Sequence, residues 1–311
     1  GRDAPMAARL REAGAILLGK TNLSEWANFR STRSISGWSA VGGMVRNPYA
    51  LDRNACGSSS GSGAATAASL GAASIGTETS GSIVCPSSQN GLVGFKPTVG
   101  LVSRTHVIPI SPTMDTPGPM TRSVRDAAIL MSAIAGRDPA DALTAEADAR
   151  KADFVAALSP DALKGKRLGV LRLGAGAHPD VDALFERALG DLKAAGADVV
   201  EVEEGLDIAG VGAVTTLILQ TQFKAAINAY LADAAPQVEA RTLADLIAFN
   251  AANLAAELPL FGQEIFEQAQ ARGGLDDPAY VEALASARRL AGPEGIDRIL
   301  GADRLDALIA I

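Results

Sequence analysis

Two textures alternate along the chain. Between residues 4 and 135, short apolar runs are separated by stretches rich in Gly, Ser, Thr and Asn; from Leu206 to Leu300 apolar residues recur at helical spacing almost without a break. Met6, Leu10 and Ala13 predict an opening helix over 4–14 that feeds an apolar strand over 15–19. Asn22, with Glu25 three residues later, predicts a capping box for a short helix through Phe29. Ordered loop follows over 30–62, and Ser62 is placed as the cap of a helix over 63–70 whose small residues permit close packing. Strands are expected at 73–76 and 93–95, then a proline-rich connection through Pro119, a helix at 124–135 and an exposed polar crossover at 137–149. Strands at 166–173 and 199–202 flank an amphipathic helix at 181–195, the alternation expected of a mixed or parallel sheet. Helices at 208–232, 241–252, 259–272 and 277–300 complete the pattern, and 306–311 has the composition of a buried strand. The fold class implied is α/β: a mixed central β-sheet covered by helices, with a helix-rich C-terminal half.

With 311 residues, 48% of them hydrophobic, the chain has material for one large domain or two coupled ones. We treat 1–311 as a single domain, with a core over 1–140 and a helix-rich half over 150–311 that contains the βαβ segment. Both ends have the look of cuts, because a helix starts almost at residue 1 and the last residues form a strand with no turn after it. A net charge of −7 weighs against nucleic acid and anionic membrane surfaces as partners. No apolar run reaches the roughly 20 residues that span a bilayer. Compartment is left open with the cytoplasm favoured, and oligomeric state is not legible.

Cys56 and Cys85 do not make a disulfide framework, and we expect small buried hydrophobes lining a tight site. His106 and His178 are the two histidines, each placed in a solvated loop. A hydroxyl nucleophile in this chain therefore needs a base other than histidine.

The chemistry concentrates between Cys56 and Arg104. Cys56-Gly57-Ser58-Ser59-Ser60-Gly61-Ser62-Gly63 and Gly76-Thr77-Glu78-Thr79-Ser80-Gly81-Ser82-Ile83 are two glycine-flanked serine loops on either side of one small-residue helix; Gly94-Phe95-Lys96-Pro97-Thr98 follows. Glycine admits close backbone approach, and successive N–H groups in such loops make concave sites for negative charge. The residues by themselves describe an anion-accepting site with hydroxyls aimed into it.

Together with Gly19-Lys20-Thr21-Asn22-Leu23-Ser24-Glu25-Trp26 and Gly91-Leu92-Val93-Gly94-Phe95-Lys96-Pro97-Thr98, this stretch resembles the amidase signature of the serine amidohydrolases, most closely the peptide amidases. The resemblance is near-continuous over residues 5–140 and looser beyond. It implies an amidase signature domain, here partial, using a Ser-cisSer-Lys triad and no metal or organic cofactor. It implies Ser82 as nucleophile, Ser58 as the bridging serine entered by a cis peptide bond, and Thr79, Ser80 and Gly81 as the oxyanion loop. Thr77 and Ser59 are supporting residues, with Thr77 expected to hydrogen-bond toward the Ser58 loop. The family's lysine lies on a segment before the opening helix, so we expect the base to be absent from residues 1–311 and the chain alone to be inactive. Lys20 matches a different family position, Lys96 a structural lysine, and Asp115 and Arg122 are expected to brace loops. Many relatives have arginine where Val84 stands, which favours a neutral amide over a substrate carrying a carboxylate.

The function implied is hydrolysis of a carboxamide, a peptide C-terminal amide or a small-molecule amide, to acid and ammonia through a seryl acyl-enzyme. The alternatives are a general aryl or aliphatic amidase and the glutaminase subunit of a tRNA amidotransferase. Phosphate binding by the first serine loop is disfavoured, since the Gly-Lys-[Ser/Thr] ending is lacking. Phe223, Tyr230, Phe249, Phe261 and Phe266 are candidates for an acyl pocket or for core.

Overall fold

A strand carrying two prolines lies at the centre of the sheet that holds the serine loops. The computed structural model describes residues 2–174, 176–203 and 205–311. In chain order its principal elements are α1 (Pro5–Glu12), α2 (Ser60–Ala67), β1 (Ser74–Glu78), α3 (Val84–Gln89), β2 (Val93–Gly94), β3 (Thr116–Thr121) and α4 (Val124–Ile134). There follow β4 (Arg167–Leu171), α5 (Pro179–Ala194), β5 (Asp198–Glu201), α6 (Ile208–Ala232), α7 (Leu243–Ala252), α8 (Glu264–Gln270), α9 (Pro278–Ala291) and β6 (Ala307–Ala310). Two compact units result: Gly1–Ala157 with Leu219–Leu275, and Leu158–Ile218 with Asp276–Ile311.

In the first unit the sheet order is β1-β3-β2, antiparallel throughout. β3 begins inside the stretch expected as a proline-rich connection through Pro119 and runs on to Thr121, and that expectation is corrected. Proline removes a ladder donor and is normally kept from central strands. Here Pro117 and Pro119 sit at alternate positions, so both missing N–H groups lie on one side of the strand. The Pro119 carbonyl accepts from the Phe95 N–H at 3.0 Å, which identifies that side as the one facing β2, a neighbour of only two residues. The longer ladder to β1 loses no donor. All six residues of β3 are buried.

Leu10 of α1 and Met131 and Ile134 of α4 form one apolar cluster with Val102. The Arg9 guanidinium donates to the carbonyls of Ile134 and Gly136 at the end of α4, satisfying groups that a helix C-terminus leaves unpaired. A second cluster gathers Phe223, Ile227, Leu243, Leu246 and Phe266 from α6, α7 and α8, with Trp26 and Phe29 packed against it. Phe223 and Phe266 are therefore core. Phe261 is buried beside the Arg30 guanidinium, 4.5 Å from its ring centroid, whereas Phe249 is 53% exposed.

In the second unit β6, β4 and β5 form a parallel sheet, with α5 as the crossover between β4 and β5. The predicted βαβ pattern and closing strand are thus present, but the closing strand, at the edge of the sheet, is only half-buried at Leu308 and Ile309 and exposed at Ala307 and Ala310 instead of buried. α9 ends at Ala291, and a π-turn over Gly292–Ile296 precedes a further helical turn, dividing the helix expected over 277–300.

Other local expectations are corrected. No strand forms at 15–19: among the described residues this segment has no ladder partner, and Ile16 and Leu18 are 85% and 77% exposed. Asn22 and Glu25 build no capping box; the Asn22 side chain donates to the Gly43 carbonyl and Glu25 accepts from the Ala40 N–H. Residues 25–28 form a 3-10 turn in which Trp26, Ala27 and Asn28 all have positive φ. This left-handed run costs about 1–2 kcal/mol per residue and is held by Trp26 against Phe266 and Phe29 against Phe223. Ser62 lies inside α2 and donates its hydroxyl to the Ile75 carbonyl instead of capping. The crossover at 137–149, expected to be exposed, has Asp141, Thr144 and Ala147 buried: Asp141 pairs with Arg104, and the Thr144 hydroxyl bonds to the Asp138 and Asp141 carbonyls.

Glu264 ties α8 to the loop after Arg30. Burial opposes its ionisation, but hydrogen bonds from the Thr32 and Ser31 hydroxyls and from backbone N–H groups prevail and hold its pKa at about 2. A lowered carboxylate pKa adds stability that is complete above the unfolded value of about 4.3 and is lost as pH falls toward about 2. Thermal melts should therefore show wild type losing more stability than Glu264→Gln across that acid window, and the same stability difference at every pH above it.

Candidate active site

Ser59 fixes where the first serine loop lies. Its hydroxyl donates to the Thr77 carbonyl and accepts the Thr77 N–H, both at 3.0 Å. Thr77 is free to do this because, at alternate positions of β1, the backbone groups face away from β3. Thr77 thus hydrogen-bonds to the Ser58 loop, through its backbone. Gly76 makes the approach possible: a Cβ there would meet the Ser59 Oγ at 2.8 Å and Met120 Sδ at 2.7 Å.

The Ser59 N–H donates to the Ser82 carbonyl at 3.2 Å, so the two serine loops face one another. The peptide bond between Gly57 and Ser58 is cis, as the resemblance implies. The Ser58 carbonyl accepts from the N–H groups of Ser24 (2.9 Å) and Ser60 (2.8 Å). Ser60 adds a hydroxyl bond to the Cys56 carbonyl and a contact with the Ser24 hydroxyl, which gives this side chain a local purpose. The Ser58 hydroxyl is buried and has no hydrogen-bond partner among the described residues, Ser82 Oγ included.

Cys56 and Cys85 are joined by a disulfide, which corrects the expectation of two buried thiols. They stand two residues before Ser58 and three after Ser82, and the facing of the loops brings their Cα atoms to 6.0 Å, within bridging range. Closing a loop of 29 residues is worth about 3–4 kcal/mol in the chain-entropy account.

The second loop is braced from three directions. The Thr79 hydroxyl donates to Asp115 at 2.6 Å, and Lys96 Nζ donates to the Thr79 carbonyl at 2.9 Å. Asp115 also accepts the N–H groups of Ile110 and Ser111; burial raises its pKa, against the pull of these bonds. Arg122 donates to the carbonyls of Thr66 and Gly71 behind α2. Gly81 has φ +81°, and its N–H donates to Glu78 Oε1 at 2.7 Å. Among the described residues the N–H groups of Ser80 and Ser82 have no acceptor. Glu78 was not singled out in the sequence, where no local pattern marks a glutamate as folding forward onto the loop it precedes.

Of the two histidines, His178 Nδ1 accepts the Asp180 N–H at the start of α5, and His106 lies in a turn with positive φ. Lys20 is exposed. The described residues contain no group of three His, Cys, Asp or Glu side chains placed to hold a metal ion.

This geometry has close counterparts. A family model described as Amidase matches residues 1–309. The chain is similar to the native peptide amidase from Stenotrophomonas maltophilia, with a TM-score of 0.95 and 53% identity over 99% of this chain and 63% of that one. A probable amidase of Arabidopsis thaliana is 39% identical over 100% of this chain and 60% of its own length. A glutamyl-tRNA(Gln) amidotransferase subunit of Thermosynechococcus vestitus is 43% identical over 64% of this chain and 40% of its own length. The chain thus spans about 60% of the first two relatives.

Removing the Ser59 hydroxyl leaves an N–H and a carbonyl of β1 without partners. Ser59→Ala should lower unfolding free energy by about 1–3 kcal/mol, read from urea denaturation, whereas an exposed serine such as Ser88 should tolerate the change within about 0.5 kcal/mol.

Proposed function

The chain belongs to the amidase family and has its α/β amidase-signature fold, and from that premise we propose that it is the nucleophile-bearing part of an enzyme that hydrolyses a terminal carboxamide. The observation that carries this reading is the bond from the Ser59 N–H to the Ser82 carbonyl, which sets the two serine loops face to face. Ser82 Oγ attacks the amide carbonyl and the oxyanion is met by loop N–H groups. Preorganised donors of this kind typically supply about 2.7–4 kcal/mol each. Ser58 passes the proton from Ser82 toward the base and returns it to the leaving nitrogen. Ammonia departs, and water hydrolyses the acyl-enzyme.

The base in this reading is a lysine supplied from outside these residues. Lys96 Nζ is bonded to the Thr79 carbonyl, Lys224 Nζ to the carbonyls of Gln270 and Arg272, and Lys20 is exposed. A buried, partnerless Ser58 hydroxyl suits a lysine whose desolvation favours the neutral amine. We infer that the 311 residues alone turn over little.

Val84 bears on the substrate. It is 44% exposed and places no cation beside the nucleophile, which favours a neutral amide, and the likeness to a peptide amidase points to a peptide C-terminal amide. A glutaminase or a general aryl or aliphatic amidase is the competing outcome, kept in view by the similarity to the amidotransferase protein.

In the enzyme that carries these residues with its flanking segments, a fluorophosphonate should label Ser82, and Ser82→Ala should abolish both label and turnover. Ser58→Ala should cut kcat by at least about 100-fold, the scale of general acid–base contributions. Release of ammonia from peptide amides in preference to glutamine and anilides supports the peptide-amide reading; preference for glutamine in the presence of a partner protein assigns the amidotransferase role. Retained labelling in Ser82→Ala removes the nucleophile assignment.

A further inference from the structure

Glu78 closes β1 and is buried, at 5% exposure. Its Oε1 accepts the Gly81 N–H at 2.7 Å, while Oε2 accepts the N–H groups of Ile83 at 2.7 Å and Val84 at 3.0 Å. The side chain thus reaches across Thr79 and Ser80 and gathers amides from both sides of Ser82. The positive φ of Gly81 lets the chain curl around the carboxylate, a conformation that an L side chain resists. Thr79 is meanwhile held from outside by Asp115 and Lys96.

What remains unclaimed is informative. Gly81, assigned by the resemblance to the oxyanion loop, has already spent its N–H on Glu78. The N–H groups of Ser80 and Ser82 have no acceptor among the described residues. A loop of this length offers several amides, and a site for one oxyanion must occupy those that are not needed and hold still those that are.

We propose that Glu78 is a positioning residue for the oxyanion site: by binding the amides of Gly81, Ile83 and Val84 it leaves those of Ser80 and Ser82 as the fixed donors to the oxygen that becomes negative when Ser82 attacks. It touches neither substrate nor reacting atoms. The proposal rests on the amidase reading. Its physical content is preorganisation, since donors that must reorient during the reaction lose the advantage that fixed dipoles have over water.

Two substitutions separate this role from a structural one. In Glu78→Gln one acceptor becomes an NH₂ that confronts backbone donors; in Glu78→Asp both acceptors remain on a stem one methylene shorter. In the enzyme with its flanking segments, the measurements are kcat and KM on a peptide carboxamide, inhibition by the peptide aldehyde that forms a tetrahedral adduct with serine, and hydrogen exchange at Gly81, Ile83 and Val84. Glu78→Gln should lose about 100-fold in kcat with KM within about threefold, and the aldehyde should weaken in parallel. The three amides should exchange faster, and Glu78→Asp should recover part of kcat and of the protection. Wild-type kcat in folded Glu78→Gln, or a loss confined to KM, overturns the role while leaving the amidase reading intact. A wild type that neither hydrolyses amides nor takes the fluorophosphonate overturns the amidase reading, and this role falls with it.

Discussion

Ser59 is the residue on which the candidate site depends. Its hydroxyl completes the open backbone pair of Thr77 and its N–H takes the carbonyl of Ser82, so a single residue registers the first serine loop against the sheet and against the second loop. A hydroxyl acts here as a neighbouring strand would, offering a donor and an acceptor at strand-like spacing. The arrangement requires that nothing bulky intervene, which is why Gly57, Gly61 and Gly76 each sit where a Cβ would meet another atom at 2.4–2.7 Å. Small residues in this region reflect closeness between α2, β1 and the segment around Asn22 more than flexibility.

Around that contact the structure builds rigidity by several independent means. The disulfide joins the flanks of the two loops; Asp115 and Lys96 hold Thr79; Glu78 collects three amides. The hydrogen bonds among these ties involve charged groups and are worth roughly 1.5–3 kcal/mol each. Convergent on a few residues, they leave the loop little freedom, which is what an electrostatic site needs and a flexible loop lacks.

Much of this was legible in the sequence, and the misses share a cause. Long helices and the βαβ segment declare themselves by period, so α4, α5, α6 and the strands beside α5 were recoverable from hydrophobic spacing. The serine loops were recognisable from their glycine flanks and from family resemblance. What failed were features set by a partner distant in sequence. β3 was hidden because two prolines argue against a central strand, and only the shortness of β2 makes them harmless. The capping pattern at Asn22 and Glu25 was overridden because both side chains find loop backbone around Gly43 and Ala40. The disulfide could not be inferred from a separation of 29 residues without knowing that the loops face each other. Glu78 was passed over because nothing local says that its carboxylate folds back on the loop it precedes.

The sheet order β1-β3-β2 leaves β1 at an edge, and edges invite growth by strands from other molecules. That invitation is withdrawn here. The carbonyls of Ile75 and Thr77 and the Thr77 N–H are already taken by the hydroxyls of Ser62 and Ser59. The serines that anchor the candidate catalytic loop therefore also guard the protein against intermolecular β-pairing, and a change that frees them exposes an aggregation template as well as disturbing the chemistry.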